Sequence, residues 1–181
     1  ELNVSCPNTK HGGIFFSADE ALLGQLVEAI RARTRRPLIV KLSPNVARIE
    51  PIARAAERAG ADAVSLVNTF IGLAIDPHTR RPRIGAGFGG VSGPAIKPIA
   101  LRMVYEAAKA VRISVIGLGG ISTGLDAAEF LIAGASAVEV GTATFWDPAA
   151  VSRIAHELDA FAAGQSLTSV GELTGTLDWP R

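Results

Sequence analysis

The chain has 181 residues, 48% of them hydrophobic and 19% charged, a length and balance that suit one domain with a well-buried core. Eighteen basic and 17 acidic residues leave a net charge of +1, which excludes the broad basic footprint of a nucleic-acid or anionic-membrane binder. A single cysteine excludes an internal disulfide framework and fits a reducing, cytoplasmic compartment, and no apolar run approaches the ~18 residues of a membrane span.

Residues 1 to 8, Glu-Leu-Asn-Val-Ser-Cys-Pro-Asn, predict a strand: Leu2 and Val4 alternate with Asn3 and Ser5, and Pro7 stops the pairing. Ala21, Leu22, Leu26, Val27 and Ile30 form a helical stripe. A second strand is expected at Leu38–Leu42, a second helix through Ile52, Ala53, Ala56 and Ala59, and a third strand at Ala63–Asn68. Residues 73 to 93, with Pro77, Pro82 and several glycines, then make a connection long enough to be a functional loop or lid. Leu101, Val104, Ala107, Ala108 and Val111 give a third helix and Ser114–Leu118 a fourth strand. Ala127, Ala128, Leu131 and Ile132 give a short fourth helix and Ala137–Gly141 a fifth strand, with residues 165–181 as a C-terminal tail. Gly60 and Gly134 are expected to end their helices within two closely similar phrases, Ala59-Gly60-Ala61-Asp62-Ala63-Val64 and Ala133-Gly134-Ala135-Ser136-Ala137-Val138.

Five short strands alternating with helices predict an α/β fold with a parallel sheet. Two architectures fit: an open doubly wound sheet, or a (β/α)8 barrel of which this chain contains the C-terminal five strand–helix units. The barrel is favoured because polar or glycine residues stand at the C-terminal end of every strand, where a barrel gathers them at one mouth. The chain lacks an initiating Met and starts inside a strand, so a longer natural protein is expected, with three more strand–helix units upstream.

The strand ends carry the chemistry. Cys6 fits either a small buried hydrophobe or a thiol placed to act as base or nucleophile. Lys41 interrupts an apolar strand and needs water or an anion for its ammonium. Asn68 and Thr69 offer donors and acceptors to a planar polar ligand, although a local turn would also favour Asn68. Gly117-Leu118-Gly119-Gly120 and Gly141-Thr142 follow two consecutive late strands, the usual phosphate-binding position of barrel enzymes; tight turns alone would be the other reading. Asp126 reads as a helix-start residue. His11, His78 and His156 are scattered, so no metal site is expected. Arg31, Arg33, Arg35 and Arg36 read as a solvated helix C-terminus, and Arg80, Arg81 and Arg83 as either solvated loop or partner surface.

The ordered set Glu1–Asn8, Val40-Lys41-Leu42-Ser43-Pro44-Asn45, Val67-Asn68-Thr69, Gly89–Pro98, Gly117–Ile121 and Gly134–Thr142 resembles the flavoprotein dihydroorotate dehydrogenases over residues 1 to 160. The resemblance implies FMN at the barrel mouth and the oxidation of dihydroorotate to orotate in pyrimidine (UMP) biosynthesis. It implies Cys6 as the base taking the C5 proton while C6 gives hydride to the flavin, with Asn3, Asn68 and Thr69 binding substrate. Asn3, Lys41, Val67, Gly93, Gly119, Gly120, Gly141 and Thr142 would bind FMN, Lys41 against the ring and the last four at the phosphate.

The membrane-associated branch of the family carries serine at the Cys6 position, so cysteine implies the soluble branch. Cys6-Pro7-Asn8-Thr9-Lys10-His11-Gly12-Gly13 resembles the NAD-linked (class 1B) catalytic subunit rather than the fumarate-reducing homodimers. That type implies a homodimer core within a heterotetramer, with a partner subunit carrying FAD and an iron–sulfur cluster. On this resemblance the piece alone is expected to bind FMN poorly. Two other functions fit the same residues: a related flavin barrel acting on free pyrimidines, as in dihydropyrimidine dehydrogenase, and a non-catalytic half-barrel binding a phosphorylated metabolite.

Overall fold

The computed structural model describes residues 1–6, 16 and 18–180. Five strands form one parallel sheet: β1 (Leu2–Asn3), β2 (Ile39–Lys41), β3 (Ala63–Leu66), and, beyond two hairpins, β8 (Ser114–Leu118) and β9 (Ala137–Glu139). They lie side by side in chain order, Leu2 opposite Val40, Val40 opposite Val64, Val64 opposite Val115 and Gly117 opposite Val138. An open doubly wound sheet would reverse direction at a switch point. This one never does, so right-handed crossovers place every helix on one face.

Those helices are α1 (Glu20–Arg31), α2 (Glu50–Arg58), α3 (Lys97–Ala110), α4 (Gly124–Ile132) and α5 (Ala150–Gly164), each packed against the next. Asp19 caps α1 by accepting from the Ala21 and Leu22 N–H groups at 2.8 and 3.0 Å. Proline in the first turn starts α2 and α3, where its missing N–H costs nothing. Leu23 and Val27 of α1, Ile52, Ala53 and Ala56 of α2, and Val104 and Ala107 of α3 cover Val40, Leu42, Val64, Leu66 and Val115 on the sheet. The small alanines let helices approach the strands closely, and Phe130 of α4, fully buried, fills the space left by Gly117.

Gly60 and Gly134 end α2 and α4 with φ of 95° and 117°. At the first, Ala61 N–H reaches Ala56 O and Gly60 N–H reaches Glu57 O; at the second, Ala135 N–H reaches Phe130 O and Gly134 N–H reaches Leu131 O. These are two copies of the Schellman turn, and each feeds the next strand at the same height: Asp62 N–H bonds Leu38 O, and Ser136 N–H bonds Val115 O.

The opposite face of the sheet carries Glu1, Lys41, Ser65, Ile116 and Glu139. Lys41 on β2 lies 3.1 Å from Glu139 on β9. Three strand spacings of ~4.8 Å separate those strands, about 14 Å if the sheet were flat. The contact therefore requires a sheet curled around this face, the arc of a barrel wall.

Three features differ from the sequence expectations. Residues 73–93 are not an irregular loop: β4 (Phe70–Leu73) pairs antiparallel with β7 (Phe88–Val91), and β5 (Ile75–Asp76) with β6 (Arg81–Pro82). Arg31 is not simply solvated, for its Nη2 donates to Asp62 Oδ2 at 2.9 Å and to Arg36 O at 3.0 Å, tying the end of α1 to the start of β3. Helix α5 was not among the predicted elements, although Ala150, Ile154, Leu158 and Phe161 repeat at helical spacing.

Residues 165–180 return across α4, with Gly175 N–H on Leu131 O, Leu177 N–H on Ile132 O and Trp179 stacked on Tyr105 at 5.0 Å. Pro7 and His11 lie outside the described residues. Among the described residues, no helix is long and apolar enough to cross a membrane.

Candidate active site

The carboxyl ends of β2, β3, β8 and β9 open onto one pocket. Nine residues singled out from sequence line it: Lys41, Val67, Asn68, Thr69, Gly93, Gly119, Gly120, Gly141 and Thr142. They come from five separate stretches of chain, brought together because parallel strands in sequential order finish at one level. Asn3 and Cys6 lie beside the pocket rather than in it. Asn3 is exposed and Cys6, just past the end of β1, is half-buried.

A chain of hydrogen bonds links that strand end to the pocket. Asn68 Nδ2 donates to Ser5 Oγ at 2.8 Å, and Ser5 Oγ donates to Asn3 Oδ1 at 2.8 Å, with Ser5 N–H on the same oxygen. Ser5 is fully buried, so the residue immediately before Cys6 is clamped to the pocket rim. Asn68 also turns its Oδ1 to the N–H of the adjacent Thr69, one residue on rather than the two of an Asx turn, and its amide remains on the pocket wall.

The ammonium of Lys41 has the anions that its burial demands. Glu139 stands at 3.1 Å and Glu1 at 3.4 Å, and Ser65 Oγ donates to the other oxygen of Glu1 at 3.1 Å. Burial and the neighbouring Glu1 push the Glu139 carboxyl above the ordinary range. Burial acts upward on Glu1 too, but Glu139, Lys41 and Ser65 outweigh it and hold Glu1 low. Neither carboxylate was picked out from sequence. A glutamate inside a strand alongside a lysine 98 positions away was the available signal.

The far side of the pocket is a backbone cradle. Gly120 has φ of 84°, and a Cβ there would stand 2.8 Å from Gly93 O and 3.0 Å from Lys97 N. A 3-10 turn at Pro94–Ile96 runs into α3 beside it, and another at Thr142–Phe145 begins at Gly141. Ser92, Pro94, Ile96, Leu118, Ile121, Glu139, Ala143 and Trp146 complete the lining and are not among the predicted site residues.

Below the cradle, Lys97 Nζ meets Asp126 at 2.6 Å and Glu129 at 2.9 Å. Asp126 also accepts from Ser122 N–H, Ser122 Oγ and Thr123 N–H, and Thr123 caps α4 reciprocally. Its role as a helix-start residue is thus visible. Burial pushes its carboxyl up, but Lys97 and the Ser122 and Thr123 donors prevail and hold it well below the usual carboxylate range. A group bound more tightly to its charged form in the folded chain stabilises above its unfolded pKa, near 3.9, and loses that contribution as pH falls below it. Asp126→Asn is expected to cost about 1–2 kcal/mol at neutral pH. The difference from the parent in urea unfolding should shrink below about pH 4.

The family profile described as "Dihydroorotate dehydrogenase" matches residues 1–161. "Putative dihydroorotate dehydrogenase A (fumarate)" of Solibacter usitatus is 71% identical over 177 residues, covering 98% of this chain and 58% of that protein. "Dihydroorotate dehydrogenase B (NAD(+)), catalytic subunit" of Geobacter sulfurreducens is 54% identical over 178 residues, with the same coverages of 98% and 58%. Among solved structures, DHODH in complex with ferulenol from Eimeria tenella superposes with a TM-score of 0.79 at 29% identity, covering 96% of this chain and 52% of that one. The chain thus spans 58% of the length of the curated relatives it matches, and its sheet corresponds to part of a (β/α)8 barrel. The chain belongs to the dihydroorotate dehydrogenase family.

Proposed function

We propose that this chain forms the substrate-side and phosphate-side walls of an FMN-dependent dihydroorotate dehydrogenase, which oxidises dihydroorotate to orotate in pyrimidine biosynthesis. The carrying observation is the single pocket that joins Lys41, Asn68, Thr69 and two glycine loops next to the Cys6 strand end. The residues present fit FMN. Gly119 and Gly120 let the loop pack tightly on Ala100, Val67, Gly93 and Lys97, the space beside Gly141 is open to a phosphate, and the start of α3 adds N-terminal backbone dipoles nearby.

Bound FMN supplies the hydride acceptor. Cys6 takes the substrate proton as a general base, from a position fixed by buried Ser5. Asn3, Asn68 and Thr69 orient the pyrimidine, whose carboxylate and amide edges need both donors and acceptors. Lys41 supplies positive charge at the ring side, and Gly93 and Val67 shape the wall against it. The test is the absorbance of the purified full-length protein with anaerobic dihydroorotate. Bleaching of a bound flavin by dihydroorotate, and not by dihydrouracil, is the expected result; no bleaching, or bleaching by dihydrouracil alone, would remove the assignment.

The electron acceptor we propose is NAD, reached through an FAD and iron–sulfur partner subunit on a homodimeric core. Relatives at 51–54% identity carry the NAD-linked catalytic-subunit name. The segment Pro7–Gly13, on which the sequence expectation for this type rests, lies outside the described residues. The 71% identical relative is named for fumarate and favours a second reading. Reoxidation of the reduced protein by fumarate alone would establish that second reading.

A further inference from the structure

Resting on the flavin reading above, we propose that Glu139 is a positioning residue that holds the Lys41 ammonium on the pocket wall and competes for its positive charge with an anion bound there. Both residues line the pocket, and their 3.1 Å contact is made across the hollow of the curved sheet. Glu1, the second carboxylate on Lys41, is not part of the lining; it stands behind the ammonium at 3.4 Å and is tied to Ser65.

The charged groups facing Glu139 are therefore Glu1 beside β1 and Lys41 on β2, while β3 contributes the neutral Ser65 and β8 the apolar Ile116 and Leu118. Two carboxylates share one ammonium, and only Glu139 does so from the pocket side. A ligand that gains negative charge next to Lys41 must draw that ammonium away from Glu139. Reduced FMN, whose ring is more negative than the oxidised ring, feels this competition more strongly. Because Glu139 takes up a proton more readily than an ordinary glutamate, the competition weakens as pH falls.

Glu139→Gln keeps the shape and an acceptor for Lys41 but deletes the charge. In the flavin-loaded protein, anaerobic titration gives dissociation constants for oxidised and reduced FMN, from about pH 5 to about pH 8. Near pH 8, Glu139→Gln is expected to raise the preference for reduced FMN roughly tenfold, the effect of one charge at close range. That ratio corresponds to about 30 mV for a two-electron couple. The gap from the parent should close towards pH 5.

Glu1→Gln, as a second variant, should move the ratio in the same direction by less. An unchanged ratio at every pH, or a shift towards oxidised FMN, would overturn the proposal while leaving the flavin reading intact. A full-length parent protein with no FMN affinity would overturn the flavin reading and this proposal with it.

Discussion

Cys6→Ala is expected to slow dihydroorotate-dependent flavin reduction by 10²-fold or more, the usual contribution of a positioned general base. The substitution removes one sulfur and none of the bonds that hold the strand end. Ser5 keeps its bonds to Asn3 and Asn68, and β1 keeps its register on β2. Flavin content and thermal unfolding should therefore match the parent. Anaerobic stopped-flow measurement of flavin bleaching separates the proton-transfer step from binding. A rate within about tenfold of the parent would take the base role away from Cys6 and favour a non-catalytic half-barrel.

Gly120→Val should be the most damaging change in the glycine cradle, and Gly141→Ala the most informative. At Gly120 the backbone φ of 84° disfavours any side chain, and its Cβ would press against Gly93 O, Lys97 Cβ and Lys97 N within 3.0 Å. Those neighbours are backbone or backbone-adjacent, so they cannot swing aside. A loss of about 3 kcal/mol or more in unfolding free energy is expected, from left-handed strain plus overpacking. At Gly141 the added methyl meets nothing within 4 Å and φ is −111°, so the fold should be unaffected. If the open space there is for a phosphate, Gly141→Ala binds FMN more weakly while unfolding at the parent's denaturant midpoint. Equal FMN affinity in parent and Gly141→Ala would move the phosphate away from this loop.

The sheet was largely legible in the sequence because its strands are buried on the helix side and read as short β-branched runs. The fourth strand matched at both ends, Ser114 to Leu118. The third ran short, stopping at Leu66 rather than Asn68, because Val67 N–H turns to Leu118 O and Asn68 N–H to Leu42 O outside the regular ladder. The excursion between Phe70 and Val91 was misread as a loop since its strands are brief, glycine-rich and solvent-facing, with Phe88 and Ile75 more than half exposed. The pocket lining was visible wherever a glycine, a lysine or an asparagine broke an apolar run. Glu139 escaped notice because its pairing with Lys41 arises from the curvature of the sheet, and Glu1 because it meets Lys41 across the β1–β2 pair; no local pattern encodes either contact.

The twin turns at Gly60 and Gly134 have a consequence for how such a chain can be built and altered. Each closes a helix with the same pair of bonds and hands the following strand to its neighbour through the same amide-to-carbonyl link. Successive units are thus joined by the same turn at the end of the sheet away from the pocket. Substitution at either joint is therefore expected to act on the stability of the sheet and not on the pocket residues, which stand at the other ends of the strands.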